Sequence, residues 1–336
     1  MFIEENYVLL SHNTFGVVAK ARWFIAYTDE QDLRKILADE YFRSLPVFHI
    51  GGGSNLLFIS DYEGIILHSG IKDTEVVKED EEFVYLKAGA GMLWDDLVHD
   101  TVCRAWGGLE NLSGIPGEVG AAAIQNIGAY GCEAKDVITE ISAYDMQTGE
   151  KQTIPCVECA YAYRDSIFKK AWKGRFIITH VTFRLSKKPH YRLEYANLQN
   201  FFAGKEINLK MIRETIIALR AAKLPDPKVL GNAGSFFMNP CLSKTCYERL
   251  KKSYPDMPCY PVNQGEVKIP AAWLIEQCGL KGFQQGNAAV YDKQALVLVN
   301  KGNATGEEIV RLAEKVQESV KNKFRIDLHP EVIYLP

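Results

Sequence analysis

Five short segments of this 336-residue chain hold residues whose types and spacing could do chemistry. The first is Gly51-Gly52-Gly53-Ser54-Asn55, placed between the apolar runs Val47-Phe48-His49-Ile50 and Leu56-Leu57-Phe58-Ile59. An apolar run without helical period that ends in glycines reads as a strand entering a tight turn. Backbone N–H groups in such a turn can form a concavity for phosphate or pyrophosphate. An ordinary turn without a ligand is the alternative. It is not a dinucleotide fingerprint of the G-x-G-x-x-G kind, because Leu56 stands at the third glycine, and no Gly-Lys-Ser/Thr of a P-loop follows. The second segment runs from Ser113-Gly114 through Pro116-Gly117, Gly120-Ala121 and Gln125-Asn126 to Gly128, Tyr130 and Gly131. Its small residues suit either close approach to a large extended ligand or tight packing of a loop and a helix start. Two such segments favour a dinucleotide, which needs donors along its pyrophosphate.

The other three segments carry reactive groups. Arg164, in Tyr163-Arg164-Asp165-Ser166, offers a planar fork for a carboxylate or phosphate, with Asp165 able to orient it. A surface Arg-Asp pair is the plainer reading. Ser235 lies between Gly234 and two aromatics in Gly231-Asn232-Ala233-Gly234-Ser235-Phe236-Phe237. It is either an exposed proton donor or nucleophile, or a serine capping a turn. The hydrolase pattern G-x-S-x-G fails at Ala233 and Phe237, which speaks against acyl transfer. Glu331, in His329-Pro330-Glu331, is an acid or a salt-bridged core edge. Cys156 and Cys159 spell C-x-x-C, but no second pair stands at zinc-ribbon spacing and no thioredoxin-like context surrounds them, so no metal is expected.

The elements that must position these groups alternate between strand and helix, which argues for a mixed α/β or α+β protein. Helical spacing places helices over 30–38, from Trp94 through Leu97 and Val98, over 208–222, and from Ala271 through Leu274 and Ile275 to Cys278. A last helix begins at Thr305, where Glu308 completes a capping box, and buries Ile309, Leu312, Val316 and Val320. Strands are expected at 46–50, 56–59, 84–88, 137–144, 176–185, 295–299 and 332–335. Leu224-Pro225-Asp226-Pro227 breaks the chain and marks a domain boundary.

Composition narrows the class. Lys and Arg number 39 against 42 for Asp and Glu, so the net charge of −3 gives no general attraction to nucleic acid or to an anionic membrane. No apolar run approaches the ~20 residues that span a bilayer. The N-terminus lacks the basic and apolar regions of an export signal, and eight scattered cysteines fit a reducing compartment. A cytoplasmic protein is expected.

Taken in order, Asn13-Thr14-Phe15-Gly16, the glycine turn, the segment from Ile115-Pro116-Gly117 to Gly131, Tyr163-Arg164-Asp165-Ser166, Gly234-Ser235-Phe236-Phe237 and Pro330-Glu331 resemble the UDP-N-acetylenolpyruvoylglucosamine reductases, flavoenzymes of peptidoglycan synthesis. Leu193-Glu194-Tyr195-Ala196-Asn197-Leu198 resembles the tyrosine-bearing insertion of their type I branch. The resemblance implies an α+β protein with an FAD-binding fold of the vanillyl-alcohol oxidase (PCMH) type in two subdomains, plus a C-terminal α+β substrate-binding domain. The expected limits are 1–70 with the terminal strand 326–336, then 71–223 with the insertion at 187–205, then 224–325. It implies that Gly51, Gly52, Gly53, Ser54 and Asn55 bind FAD. The same role falls to Ser113, Gly114, Pro116, Gly117, Gly120, Ala121, Gln125, Asn126, Gly128, Tyr130 and Gly131.

The implied reaction has two halves. NADPH reduces FAD; flavin N5 then gives hydride to the methylene carbon of UDP-N-acetylglucosamine enolpyruvate, and protonation of the adjacent carbon yields UDP-N-acetylmuramate. By the resemblance, Arg164 and Glu331 steady the developing enediolate, a placement of donors at growing charge that is commonly the largest catalytic term. Glu331 would serve best as a neutral donor. Ser235 would supply the proton. Tyr195, Lys223, Asn239 and Tyr260 would hold the UDP part, and Gln284 would position the carboxyl end. A bacterial cytoplasmic monomer is expected. Two rival readings remain: a flavoprotein with another substrate, and a sugar-nucleotide binding module without redox chemistry.

Overall fold

The computed structural model describes residues 1–336, apart from the side chains of residues 196 and 197. The chain divides into two compact units. One comprises Met1–Tyr7, Lys20–Gly52 and Tyr62–Ala222; the other comprises Val8–Ala19, Gly53–Asp61 and Lys223–Pro336.

Besides a short two-stranded sheet, Gly128–Ala129 with Cys132–Glu133, the first unit has two large sheets. In one, Lys20–Tyr27 and Val47–Ile50 both pair in parallel with Tyr62–Ser69, which lies between them. Strands that run in parallel need a crossover, and the helix Glu30–Ala38 lies on the one that joins the two strands flanking Tyr62–Ser69, Lys20–Tyr27 and Val47–Ile50. Asp29 caps that helix by accepting from the Asp32 N–H at 2.8 Å. Leu33 and Ile36 then face Ile25, Ile65 and Leu67 in one core. The other sheet is antiparallel, in the order Lys151–Pro155, Ile138–Asp145, Phe176–Ser186, Phe83–Gly89, Thr74–Glu79. The strand Phe176–Ser186 is central and buried along nearly all its length, with Thr179, His180 and Thr182 buried among its apolar residues. Helix Trp94–Cys103 and the short helix Val119–Gln125 share its core through Trp94, Leu97, Ala122, Ala123 and Phe183.

In the second unit Gly231–Ser235, Val297–Asn300, Ala288–Val290 and Gln284–Gln285 form an antiparallel sheet in that order. Helix Gly306–Phe324 buries Ile309, Leu312, Val316 and Val320 with Leu274, Ile275, Phe236 and Phe237. Its capping box is made: Thr305 Oγ1 accepts from the Glu308 N–H, and the Glu308 carboxylate accepts from the Thr305 N–H. The last strand, Ile333–Leu335, runs parallel to Leu56–Phe58. Asn13 locks the entry to this unit. Its amide donates to the carbonyls of Leu9 and Val17 and accepts from the Val17 N–H.

Among the described residues no helix is long and apolar enough to cross a membrane, and no group of three or more His, Cys, Asp or Glu side chains is placed to hold a metal. Cys156 and Cys159 lie in one 3-10 turn, and burial pushes the Cys159 thiol up to about 12.

Candidate active site

In the first unit the two glycine-dense segments face each other. A Cβ on Gly51 would stand 3.0 Å from the Ala121 Cβ, and one on Gly52 would stand 3.4 Å from the Gly117 Cα. The first contact is tighter than a methyl group accepts comfortably and the second is ordinary van der Waals contact, so glycine here lets the two segments pack closely. The facing helix Val119–Gln125 is anchored from behind: the Val119 and Gly120 N–H groups donate to the Met92 and Ala90 carbonyls at 3.0 and 2.9 Å. Gly114 is clamped at both ends of its peptide. Its N–H donates to Asp95 at 2.6 Å, and its carbonyl accepts from Arg220 Nε at 3.1 Å. Asp95 is itself held by a bidentate pair with Arg213 at 2.6 and 2.7 Å.

Some expected cofactor ligands have other work for their side chains. The buried Ser113 hydroxyl donates to the Glu110 carbonyl at 2.6 Å. The buried Asn126 amide donates to Glu133 and to the Ala162 carbonyl, and accepts from the Lys135 N–H. Asn126 is also the left-handed residue that ends its helix, at φ 46°. These two side chains hold the loop together, so a cofactor contact by either residue would fall to its backbone. Gln125 accepts from Lys169 Nζ at 2.7 Å.

Arg164 belongs to the same unit. Its backbone is in the left-handed region at φ 55°, a costly conformation for a side chain of this size. The guanidinium donates to the Gly128 carbonyl at 2.5 Å and lies 5.2 Å from the centre of the Tyr163 ring. Glycine at 128 makes this possible, because a Cβ there would stand 2.9 Å from Arg164 Nη1. Asp165, expected to orient Arg164, accepts instead from the Ser166 N–H and pairs with Lys170. Tyr130 and Tyr195 meet edge to face at 6.4 Å, and the Tyr130 carbonyl accepts from Asn111 at 2.9 Å.

In the second unit Ser235 ends its strand at a bulge. Asn232 pairs with Val299 and Ser235 with Val297, so three steps on one strand match two on the other. Gly234, at φ 69°, takes the strained position, and its N–H donates to the Asn232 side chain. A bulge of this kind re-aims a side chain, and Ser235 is exposed while Phe236 and Phe237 are buried. The chain then pairs with the segment around Pro330. The Glu331 N–H donates to the Phe236 carbonyl at 2.8 Å, and the Met238 N–H donates to the His329 carbonyl. Glu331 thus stands opposite Phe236, one residue along from the serine. Asn55 adds a tie, donating from Nδ2 to the Glu331 carbonyl at 3.2 Å while its own carbonyl accepts from the Ile333 N–H. Gly53 cannot change: a Cβ there would fall 1.9 Å from the His12 carbonyl oxygen.

The residues expected to hold the nucleotide are less gathered. Asn239 accepts from the Ala271 N–H at the start of a helix. Tyr260, exposed, pairs across a small sheet with Lys268, whose other neighbour is Cys241, two residues beyond Asn239. Lys223 is exposed at the end of helix Leu209–Lys223. Gln284 is a correction: it lies on the opposite edge of the sheet from Ser235, three strands or ~14 Å away, and its amide turns back to the Gly286 carbonyl. Sequence reasoning passed over Gln294, whose carbonyl accepts from the Val297 N–H opposite Ser235. It also passed over Arg213 and Arg220, whose spacing of two helical turns facing Asp95 and Gly114 was the available signal.

A profile described as UDP-N-acetylenolpyruvoylglucosamine reductase, C-terminal domain, matches residues 226–335, and one described as FAD binding domain matches 21–154. The UDP-N-acetylenolpyruvoylglucosamine reductase of Bacteroides fragilis is 49% identical over 99% of this chain and 100% of its own length. The chain belongs to the UDP-N-acetylenolpyruvoylglucosamine reductase family. The reductase of Porphyromonas gingivalis is 46% identical over the full length of both chains. The crystal structure of the Thermus caldophilus reductase superposes with a TM-score of 0.70 at 22% identity, over all of both chains, and shares the fold. The expected fold class is borne out, and the enzyme is the one also called UDP-N-acetylmuramate dehydrogenase. The first unit of this reductase carries one feature that fits a bound FAD: the buried Glu118 Oε2, beside Gly51 where the two glycine-dense segments pack together, has no hydrogen-bond partner among the described residues.

Proposed function

We propose that this reductase uses NADPH to reduce UDP-N-acetylglucosamine enolpyruvate to UDP-N-acetylmuramate, as a monomer in the bacterial cytoplasm. FAD, when bound, supplies the carrier that takes hydride from NADPH and delivers it to the enolpyruvyl methylene carbon. The backbone of Gly51 to Asn55 and of Ser113 to Gly131 would hold FAD, within two subdomains as the sequence suggests. The protein's own part in the chemistry is to hold a carboxylate and move a proton. Arg164 presents a fork of donors to the substrate carboxylate. Glu331, as a neutral acid, donates to the same group, where an ionised carboxyl would repel it. Ser235 gives its hydroxyl proton to the carbon next to the carboxylate. A hydroxyl is a weak acid, but fixed placement beside a strongly basic carbon compensates. Tyr195, Lys223, Asn239 and Tyr260 would bind the UDP part.

The observation that carries this reading is the bulge at Gly234, which exposes Ser235 beside the paired Glu331 segment. A module that only binds nucleotide has no need of a proton donor there. Anaerobic stopped-flow absorbance tests it. The protein is reduced with NADPH and mixed with the enolpyruvyl sugar nucleotide. Rapid return of the oxidised-flavin spectrum is expected; a flavin that stays reduced would refute the substrate.

A further inference from the structure

Glu118 is a buried carboxylate packed against the first glycine turn, 6% exposed. One oxygen is accounted for: Oε1 lies 2.9 Å from His68 Nε2. The other, Oε2, is buried without a hydrogen-bond partner among the described residues. It does not cap the helix that begins at Val119. It points at the glycine turn, standing 3.4 Å from where a Cβ on Gly51 would be, while Oε1 is 3.9 Å from the same position on Gly52. All of these residues belong to the first unit.

A buried acceptor left unpaired is costly, and folded proteins rarely keep one without a purpose. An ionised carboxylate only accepts, so whatever meets Oε2 must bring a proton. The phosphates of FAD carry none at neutral pH. Its ribityl and ribose hydroxyls and its ring N–H do. We infer that Glu118, braced by His68, is a cofactor-recognition residue whose Oε2 accepts a hydrogen bond from an O–H or N–H of FAD. The inference rests on the flavoenzyme reading and adds to it a carboxylate anchor beside a turn otherwise suited to backbone contacts.

The test is equilibrium binding of FAD to the full-length protein stripped of flavin, followed by flavin fluorescence. Glu118→Met fills the same space without an acceptor. Glu118→Asp keeps the charge and withdraws the oxygen by one methylene, and it carries the test if the methionine variant does not fold. Each is expected to bind FAD ~10- to ~100-fold more weakly than wild type, the range for losing a bond to a charged acceptor. Competition by ADP locates the donor. Weaker ADP binding by the variants assigns it to the adenosine ribose, and unchanged ADP binding with weaker FAD binding assigns it to the flavin half; both outcomes support the inference. Folded variants that hold FAD as tightly as wild type, or more tightly, overturn it. Wild-type protein that binds no FAD would overturn the flavoenzyme reading itself.

Discussion

Asn55 separates two ideas about the glycine turn. As a cofactor ligand its loss should weaken FAD and disturb both half-reactions. The structure gives its side chain a different partner, the Glu331 carbonyl at 3.2 Å. Asn55→Ala removes one neutral hydrogen bond, for which the net effect is ~1 kcal/mol. Both residues are half-buried, so water can reach the freed carbonyl and no larger orphan penalty applies. The backbone bond from the Ile333 N–H to the Asn55 carbonyl and the strand pairing from Leu56 to Phe58 remain, so the terminal strand stays in place. What loosens is the placement of Glu331. If that residue steadies the substrate carboxylate, ~1 kcal/mol of lost alignment slows flavin reoxidation by ~5-fold. Flavin reduction by NADPH keeps its wild-type rate. Asn55→Asp turns an acceptor toward a carbonyl and is expected to slow reoxidation more than alanine does. Anaerobic stopped-flow records the two half-reactions separately. Equal slowing of both, or reoxidation at the wild-type rate, would refute the reasoning.

Ser235→Ala is expected to bind FAD and accept hydride from NADPH normally while reoxidation by substrate falls ~10²- to ~10⁴-fold, the range for removing a placed proton donor; equal rates for variant and wild type would dismiss the assignment. Glu331→Gln, which can still donate, should retain more turnover than Glu331→Ala, and the reverse order would indicate an ionised carboxylate. Acid stability should report on the clamp at Gly114. Burial raises the Asp95 carboxyl, but hydrogen bonds from Arg213 and the Gly114 N–H outweigh it and hold the group below the ordinary carboxylate range. Its stabilising effect is therefore complete above the unfolded value of ~3.9 and is lost as pH falls through the lower folded value. Denaturant titrations from about pH 6 down to about pH 3 should show wild type losing an increment that Asp95→Asn lacks at every pH; parallel profiles would refute it.

The pattern of apolar residues made the long helices and several strands legible, though not Lys20–Tyr27 or Tyr62–Ser69. The helix expected over 30–38 is Glu30–Ala38, and the capping box expected at Thr305 is formed in both directions. These features depend on neighbours within a turn or two, so local sequence contains their causes. Motif order was legible for a related reason: Gly53 is required by a contact so close that no other residue fits, and such a position leaves a trace in the chain itself. The partners were not legible. Nothing in the spacing says that Asn55 ties down the backbone of Glu331, 276 residues away. Nor does it say that Gly128 clears room for Arg164, or that Asp165 turns to Lys170. Gln284 was misplaced because sheet order, which puts it three strands from Ser235, is set by packing and not by distance along the chain. Glu118 lies inside the second glycine-dense segment, yet nothing in the spacing singled it out. Its interest comes from one buried oxygen with no partner, and burial is a property that only the folded chain decides, because it depends on what every other segment covers.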